Sequence, residues 1–351
     1  MEIFSLDLGN IQTKIKSSKT EKVLPSRFRY YDDLGDQSTS LFDSKLDINE
    51  YEVNFDNMFS YAWGTDLDKI KANNDPIDTL TFEDRYTTNE FRLLASFAIG
   101  ELAKDFKEAK EGILEVNIIT GVPTDDFNRE AIESFVRVLD TDHNITINGE
   151  RLNIRVNEVK VLPQPTGTVY HQMLDDEGYL QNEDYQSEHV TVVDCGGGTL
   201  LIDSLINMNL SETERSQHRQ GAFKVYDNVV SQCKTDQIAT ITSIDVEAIL
   251  KDEKSDGYYY KPNKNESINI TKYVEKAKVK YTRTLINTIE TTLKGTSQID
   301  TLLFTGGGAN LIDHDEVKAR FKHAIFVENS DFANALGFYK YGLASQEDDG
   351  E

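Results

Sequence analysis

The chain has 351 residues, a formal net charge of −24 at pH 7 and 38% hydrophobic residues, with 17 Phe and 16 Tyr in the chain. This length predicts two domains, and this apolar content can build folded cores, which argues against disorder over most of the chain. The acidic balance argues against direct binding to nucleic acid or to an anionic membrane, because both depend on clustered Lys and Arg.

The two cysteines, Cys195 and Cys233, exclude a disulfide scaffold and suit a reducing compartment. The first residues lack the basic and apolar segments of a signal peptide, and no apolar run approaches the roughly 18 residues of a membrane span. We therefore expect a cytoplasmic protein.

The first half of the chain begins with a predicted hairpin. An apolar strand over 3–8 ends at Asp7-Leu8-Gly9-Asn10, a tight turn, and a second strand follows over 13–16. Residues 28–88, rich in Asp, Asn, Ser and Tyr, predict a small insertion in the first domain. Beyond it we expect an amphipathic helix over 90–109, a core strand over 116–123, a helix over 125–139 and one or two strands over 151–162.

The second half opens in the same way. A strand over 190–193 leads into Asp194-Cys195-Gly196-Gly197-Gly198-Thr199, and a returning strand covers 200–206. The remaining predicted elements are helices over 222–233, 245–251, 271–293 and 331–344 and a buried strand over 299–304. Strands that alternate with helices predict an α/β protein with partly parallel sheets.

The two Asp-x-Gly turns lie about half a chain apart, which suggests two similar domains that each present a turn to a shared cleft. Glycine allows close approach of the backbone to an oxyanion, and successive N–H groups form an anion-binding concavity. Asn10, Gln12 and Thr199 add side-chain donors. Asp7 and Asp194 repel phosphate but can hold the water shell of Mg²⁺.

Two further features fit a phosphate ligand. Lys14, on the strand after the first turn, can neutralise phosphate charge. A third predicted strand ends at Thr305-Gly306-Gly307-Gly308-Ala309-Asn310. Each glycine turn alone is a common strand connection, so the joint occurrence of the three carries the argument.

In this combination the motifs resemble those of the actin, heat-shock chaperone and sugar kinase superfamily of ATPases. Five motifs occur in family order: the first phosphate motif with Asp7, Gly9 and Lys14, the second at 194–199, the adenosine motif at 305–310, and two connecting segments with Gln164 and with Asn334, Ala335 and Gly337. Within the superfamily the chain is similar to the plasmid-segregating bacterial actins of the ParM/StbA type, notably at 63–69 and 84–86. Ile11 departs from the small residue usual in the first turn.

The resemblance implies an actin-like (ribonuclease-H-like) duplicated two-domain α/β fold with an interdomain nucleotide cleft. Domain I would comprise 1–165 plus 331–351, with an insertion subdomain at about 28–88. Domain II would comprise 166–330, with a smaller subdomain at about 222–290.

The resemblance also implies a site for ATP or GTP with Mg²⁺. Asp7 and Asp194 would hold water on the metal, and Gln164, a neutral side chain, would orient the attacking water. The implied nucleotide-binding residues are Gly9, Asn10, Ile11, Gln12, Lys14, Gly196, Gly197, Gly198, Thr199, Gly221, Lys276, Lys280, Gly306, Gly307, Gly308 and Asn310.

A member of this type polymerises with nucleotide, hydrolyses it in the filament and segregates low-copy plasmid DNA through a basic adaptor protein bound to a centromere-like site. The partners implied are the chain itself and the adaptor, with no direct contact to DNA or membrane, and the insertion at 28–88 is the expected longitudinal contact. Two alternatives stay open: a small-molecule kinase of the sugar or acetate type, and a nucleotide-binding scaffold without turnover.

Overall fold

The structure is a computed structural model that describes residues 1–34, 46–70, 74–79, 84–252, 257–293 and 295–348. Its strands are β1 (Glu2–Leu8), β2 (Gln12–Lys16), β3 (Glu21–Pro25), β4 (Arg27–Tyr30), β5 (Asn49–Val53), β6 (Asp56–Trp63), β7 (Ile77–Asp78), β8 (Leu114–Val122), β9 (Asp142–Ile147), β10 (Glu150–Pro163), β11 (His189–Cys195), β12 (Leu200–Ile206), β13 (Asn209–His218), β14 (Tyr259–Asn263), β15 (Glu266–Asn269), β16 (Thr301–Thr305) and β17 (Ala324–Phe326). Its helices are α1 (Asn89–Ala103), α2 (Lys107–Glu111), α3 (Arg129–Leu139), α4 (Gln164–Met173), α5 (Phe223–Thr235), α6 (Ser243–Lys251), α7 (Thr271–Leu293), α8 (His314–Arg320) and α9 (Ala333–Asp348).

The chain divides into two compact units. Unit 1 is Met1–Asn182 with Asn334–Glu351, and unit 2 is Glu183–Ala333. Residues 166–182, which the sequence placed in domain II, lie in unit 1 because α4 packs against α9. Thr168 Oγ1 donates to Asn334 Oδ1 (2.8 Å), and Lys340 Nζ donates to the carbonyl of Leu174 (2.9 Å).

Unit 1 is built on a mixed sheet of ten strands in the order β3-β2-β1-β8-β10-β9-β5-β6-β4-β7. β1 and β2 pair antiparallel with Asp7 opposite Lys14, which confirms the predicted hairpin. β1, β8 and β10 are parallel neighbours, so their carboxyl ends lie at one edge of the sheet. That edge carries Asp7 at the end of β1 and Gln164 directly after β10.

The described strands within residues 28–88 continue this sheet. β5 pairs with β9, and β6 and β4 follow outward. The buried rings of Phe28, Tyr51 and Trp63 surround Phe97 of α1 at centroid distances of 5.2, 4.8 and 6.1 Å. The insertion therefore shares the core of unit 1.

The helix expected over 90–109 is interrupted: α1 ends at Ala103 and α2 begins at Lys107. The amphipathic pattern is also wrong for α1, because every residue from Leu93 to Ala103 is buried. A helix that is buried on all sides belongs to the interior of a domain.

Unit 2 repeats the first part of unit 1. Its main sheet has the order β13-β12-β11-β16-β17, with β12 antiparallel and β16 parallel to β11. The same order and directions occur in β3-β2-β1-β8-β10. The sequence echo thus corresponds to a structural repeat, although β13 was not predicted because Asn209–His218 is mostly polar.

The described residues within 222–290, expected as a smaller subdomain, contribute to the same core as the main sheet of unit 2. Val225, Tyr260 and Leu285 belong to one buried cluster with Val193 and Phe304. Within the described residues, no helix combines the length and apolarity needed to cross a bilayer.

A buried carboxylate ties three segments of unit 1 together. Glu101 of α1 is 1% exposed and accepts hydrogen bonds from Lys22 Nζ (2.7 Å), Lys104 Nζ (2.6 Å) and the Tyr51 hydroxyl (2.5 Å). Burial and the Glu101 charge raise the pKa of Tyr51 well above its usual value. Burial alone would lower the pKa of Lys22, but the bond to Glu101 and its charge raise it above the usual value. Charge-assisted hydrogen bonds of this kind are the strong ones, and removing one partner leaves the others unpaired.

We predict that Glu101→Gln lowers the free energy of unfolding of unit 1 by about 2 kcal/mol or more, because two lysines lose their buried counter-charge. Urea unfolding followed by the fluorescence of Trp63, the single tryptophan, measures it. Glu133→Gln is the control, since Glu133 pairs with Arg129 at the surface, where pairs contribute little. Equal shifts in the two variants would contradict the assignment.

Candidate functional site

The first glycine turn lies at the edge of the unit 1 sheet. Asp7, the next-to-last residue of β1, is 2% exposed, and Lys14 Nζ lies 3.4 Å from its Oδ2 atom. The turn residues 9–12 are half-buried except for Asn10, which is exposed. The structure therefore brings Asp7 and Lys14 together at the base of the turn.

The carbonyl groups of this turn are held from one side. Ser26 donates through Oγ to the carbonyl of Gly9 (2.6 Å) and through its amide to that of Ile11 (2.9 Å). Arg85 donates through Nη1 to the carbonyl of Leu8 (2.7 Å) and through Nη2 to that of Gly9 (2.9 Å). The sequence analysis predicted a role for neither Ser26 nor Arg85. Only Arg85 lies in a segment that resembles the family, 84–86.

Gln164 begins α4 at the same edge of the sheet. The register places Leu6 beside Thr120 and Thr120 beside Val161, so Asp7 and Gln164 end strands separated only by β8. With neighbouring strands about 4.8 Å apart, the two strands are about 10 Å from each other. The sheet therefore places Asp7 and Gln164 at the same edge, with β8 between their strands.

The second glycine turn follows β11 in unit 2. Asp194 is half-buried, and Cys195 after it is fully buried. Burial, together with the charge of Asp194, raises the pKa of the Cys195 thiol. Tyr281 of α7 lies close to Cys195, and burial raises the pKa of its hydroxyl as well. Since the thiolate is the reactive form, Cys195 is a buried packing residue, as the sequence suggested.

The start of α5 holds the carbonyl side of this turn. The amides of Gly221, Ala222 and Phe223 donate to the carbonyls of Gly198 (3.3 Å), Gly196 (2.9 Å) and Gly197 (2.9 Å). A Cβ on Gly221 would lie 2.4 Å from the Gly197 carbonyl oxygen, so only glycine fits there. Because C=O and N–H point in opposite directions across a trans peptide, the N–H groups of 197–199 point away from α5. Such a row of amides suits an anion.

The third glycine turn packs directly on the second. Gly306 has φ +82°, and a Cβ there would lie 2.4 Å from Asp194 Oδ1. A Cβ on Gly308 would lie 2.8 Å from the carbonyl oxygen of Cys195. The carbonyl of Ser330 accepts from the Gly306 amide (2.9 Å), which fixes the turn. In unit 2 the structure thus brings together the turns at 194–199, 221 and 306–308.

Lys276 and Lys280 are exposed on α7, four residues apart on one face of the helix. Lys280 Nζ lies 3.5 Å from Asn228 Oδ1 of α5. The next residue, Tyr281, faces Cys195. Because consecutive residues of a helix point about 100° apart, Lys280 points in a different direction from Tyr281. The described contacts therefore place Lys280 beside α5 and do not join it to the glycine turns.

Asp7 and Asp194 belong to no cluster of metal-ligating side chains among the described residues. Among the described residues, no three His, Cys, Asp or Glu side chains come together as a metal site. Magnesium is usually bound by one or two carboxylates, several waters and substrate phosphates. Asp7 and Asp194, each beside a glycine turn, fit that kind of coordination.

The fold and these turns define an actin-like α/β protein of two domains. The crystal structure of apo pSK41 ParM aligns with a TM-score of 0.78 at 25% identity over 100% of this chain and 99% of that one. An archaeal actin homologue, Ta0583, aligns at 0.76 with 16% identity over 97% and 99%, and the actin-like protein Alp7A at 0.74 with 15% identity over 99% and 97%. The last two likenesses show the fold alone.

Two family models cover most of the chain. Residues 5–167 match the N-terminal domain of actin-like proteins, and residues 189–331 match the Alp7A C-terminal domain. A search of curated protein sequences gives no match. The chain belongs to the bacterial actin-like proteins of the ParM and Alp7A type.

We predict that Gly306→Ala lowers the free energy of unfolding of unit 2 by about 2 kcal/mol or more, because alanine strains a positive φ and its Cβ would lie 2.6 Å from the backbone carbonyl oxygen of Cys195. Gly307→Ala is the matched control, since its Cβ would meet only Asp331 Cβ at 3.8 Å. Thermal unfolding of both variants measures the difference. If Gly307→Ala were as destabilising as Gly306→Ala, the close packing of the two turns would not be the cause.

Proposed function

We propose that the chain is an actin-like nucleoside triphosphatase that binds ATP or GTP with Mg²⁺ and polymerises. In this proposal the filament segregates low-copy plasmid DNA in the cytoplasm through a basic adaptor protein. The observation that carries the proposal is the cluster of glycine turns around Asp194. The carbonyls of 196–198 accept from the amides of 221–223, so that the amides of 197–199 face away from them. The ADP complex of Ta0583 adds support from a protein of the same fold.

The proposal assigns the phosphates to both glycine-rich hairpins. The amides and side chains of 9–12, with Lys14, and the turn at 196–199 would bind the β- and γ-phosphates. Asp7 and Asp194 would each hold water of a bound Mg²⁺, whose charge neutralises the phosphates. The nucleoside would contact Gly221, the turn at 306–310 and the lysines of α7, Lys276 and Lys280.

Gln164 would orient the water that attacks the γ-phosphate. An amide cannot take a proton as a strong base, so its contribution is positioning, which suits phosphoryl transfer. Gln164 begins α4 directly after β10, which is the neighbour of β8, and β8 is in turn the neighbour of β1. This place at the same edge of the sheet as Asp7 supports the role.

Self-association is supported by an exposed apolar patch on unit 1. Tyr30, Tyr31, Met58 and Phe59 are 37%, 39%, 81% and 43% exposed, and the rings of Tyr30 and Phe59 lie 4.9 Å apart. Exposed large apolar side chains on neighbouring elements suit an interaction site. Alp12 and a ParM from Clostridium botulinum, both of this fold, have filament structures. We propose this patch as the longitudinal contact expected in the insertion.

The acidic charge supports an indirect link to DNA. A chain of net charge −24 repels the phosphate backbone and attracts a basic partner. A positively charged adaptor would therefore provide the contact between filament and plasmid.

We predict that Gln164→Ala polymerises with Mg·ATP or Mg·GTP like the wild type but releases phosphate about 100-fold more slowly, because the attacking water loses its orientation. Light scattering and phosphate release, measured against protein concentration, test it. Gln186→Ala, an exposed glutamine in unit 2, is the control. Phosphate release by the wild type that needs an added small-molecule acceptor would indicate a kinase instead, and nucleotide binding with neither polymer nor release would indicate a scaffold.

We also predict that the double variant Met58→Asp, Phe59→Asp raises the critical concentration for polymerisation about tenfold or more, because buried interface anchors would carry charge. Sedimentation at a series of protein concentrations measures it. Ile244→Asp, at a residue of unit 2 that is 69% exposed, serves as the control. An unchanged critical concentration in the double variant would remove the patch from the contact.

A further inference from the structure

Arg85 joins the insertion to the first glycine turn. Its guanidinium donates to three backbone carbonyls, those of Leu8 (2.7 Å), Gly9 (2.9 Å) and Thr79 (3.2 Å). The planar fork of arginine suits several acceptors held in fixed directions, which a single ammonium group cannot reproduce. The side chain thus fixes the turn relative to Thr79 and to the segment 84–88.

The surroundings of Arg85 show a guanidinium that is held in place. Its guanidinium carbon lies 4.8 Å from the ring centroid of Phe91. Burial lowers the pKa of Arg85, and the nearby charge of Asp7 acts in the opposite direction. A cation that has lost part of its hydration and bonds to carbonyls keeps its orientation because other arrangements leave its donors unpaired.

The bonds to Leu8 and Gly9 determine where the next amides point. The carbonyl of Leu8 shares a peptide plane with the N–H of Gly9, and that of Gly9 shares one with the N–H of Asn10. In a trans peptide the two groups point in opposite directions. Both N–H groups therefore point away from Arg85, on the side where a phosphate can accept from them.

We propose that Arg85 is a positioning residue for the triphosphate: it orients the Gly9 and Asn10 amides toward the β- and γ-phosphates from behind the turn. The role rests on the proposed nucleotide-binding function. Arg85 would touch neither phosphate nor metal, and its effect would pass through the two peptide groups that it bonds.

The turn has a second anchor, so loss of Arg85 leaves it folded. Ser26 bonds the carbonyls of Gly9 and Ile11 independently of Arg85, and its own carbonyl accepts from Thr79 Oγ1 (2.7 Å). Arg85→Lys, which keeps the charge and loses the fork, should therefore loosen the direction of the amides without unfolding unit 1.

The test compares a nucleoside triphosphate with its monophosphate, which lacks the β- and γ-phosphates. Calorimetric titration measures the Kd of Mg·ATP or Mg·GTP, whichever the wild type binds, and of AMP or GMP. For Arg85→Lys we expect a Kd for the triphosphate that is about tenfold or more higher, an unchanged Kd for the monophosphate, and a thermal midpoint near that of the wild type. Arg92→Lys is the control, since Arg92 is exposed on α1 and stacks on Phe55 (3.8 Å).

Two results would overturn the proposal while leaving the function intact: an Arg85→Lys variant that binds triphosphate like the wild type, or one that loses triphosphate and monophosphate affinity equally. A wild type that binds neither triphosphate would overturn the function and this role together. Amide NMR spectra of the wild type give an independent measurement that needs no variant. The Gly9 and Asn10 signals should shift strongly with the triphosphate and little with the monophosphate, and unshifted signals would exclude the proposed contacts.

Discussion

Hydrogen bonds from the amides of Gly221, Ala222 and Phe223, where the chain enters α5, hold the carbonyls of the second glycine turn in unit 2. A peptide group that is bonded through its oxygen presents its N–H on the other side, so one row of bonds inside the protein creates a row of donors on its outer face. The neighbouring turn at Gly306 can pack on Asp194 only because glycine has no side chain. The proposed binding of phosphate at this turn rests on these constraints.

Unit 1 reaches a similar result by other means. Its strands β3-β2-β1-β8-β10 repeat the order of β13-β12-β11-β16-β17, yet no helix start holds the first turn in the described structure. The side chains of Ser26 and Arg85 bond the carbonyls of Leu8 and Gly9 instead, and the main-chain amide of Ser26 bonds that of Ile11. The duplicated fold therefore preserved strand order while the support behind each turn diverged.

The parts that could be predicted from sequence are those that local chemistry specifies. Apolar runs that end in Asp-x-Gly identified β1, β11 and their hairpins, because both the buried strand and the turn leave a local pattern. The features that the sequence did not predict depend on tertiary contacts. Helix α1 is buried on all sides, and the polar strand β13 is formed by pairing with β12. Arg85 bonds the carbonyls of residues that lie 76 and 77 positions earlier in the chain. No local pattern encodes such contacts.

Recognition through the main chain has a consequence for divergence. Where peptide groups make the contacts, most side chains around them can drift without loss of the binding geometry, and selection acts chiefly on the few positions that must remain glycine. A relative with 25% identity retains the fold over the full length of this chain. Gly221, Gly306 and Gly308, where a Cβ would meet backbone oxygen atoms, are therefore positions at which this chain has little freedom to change.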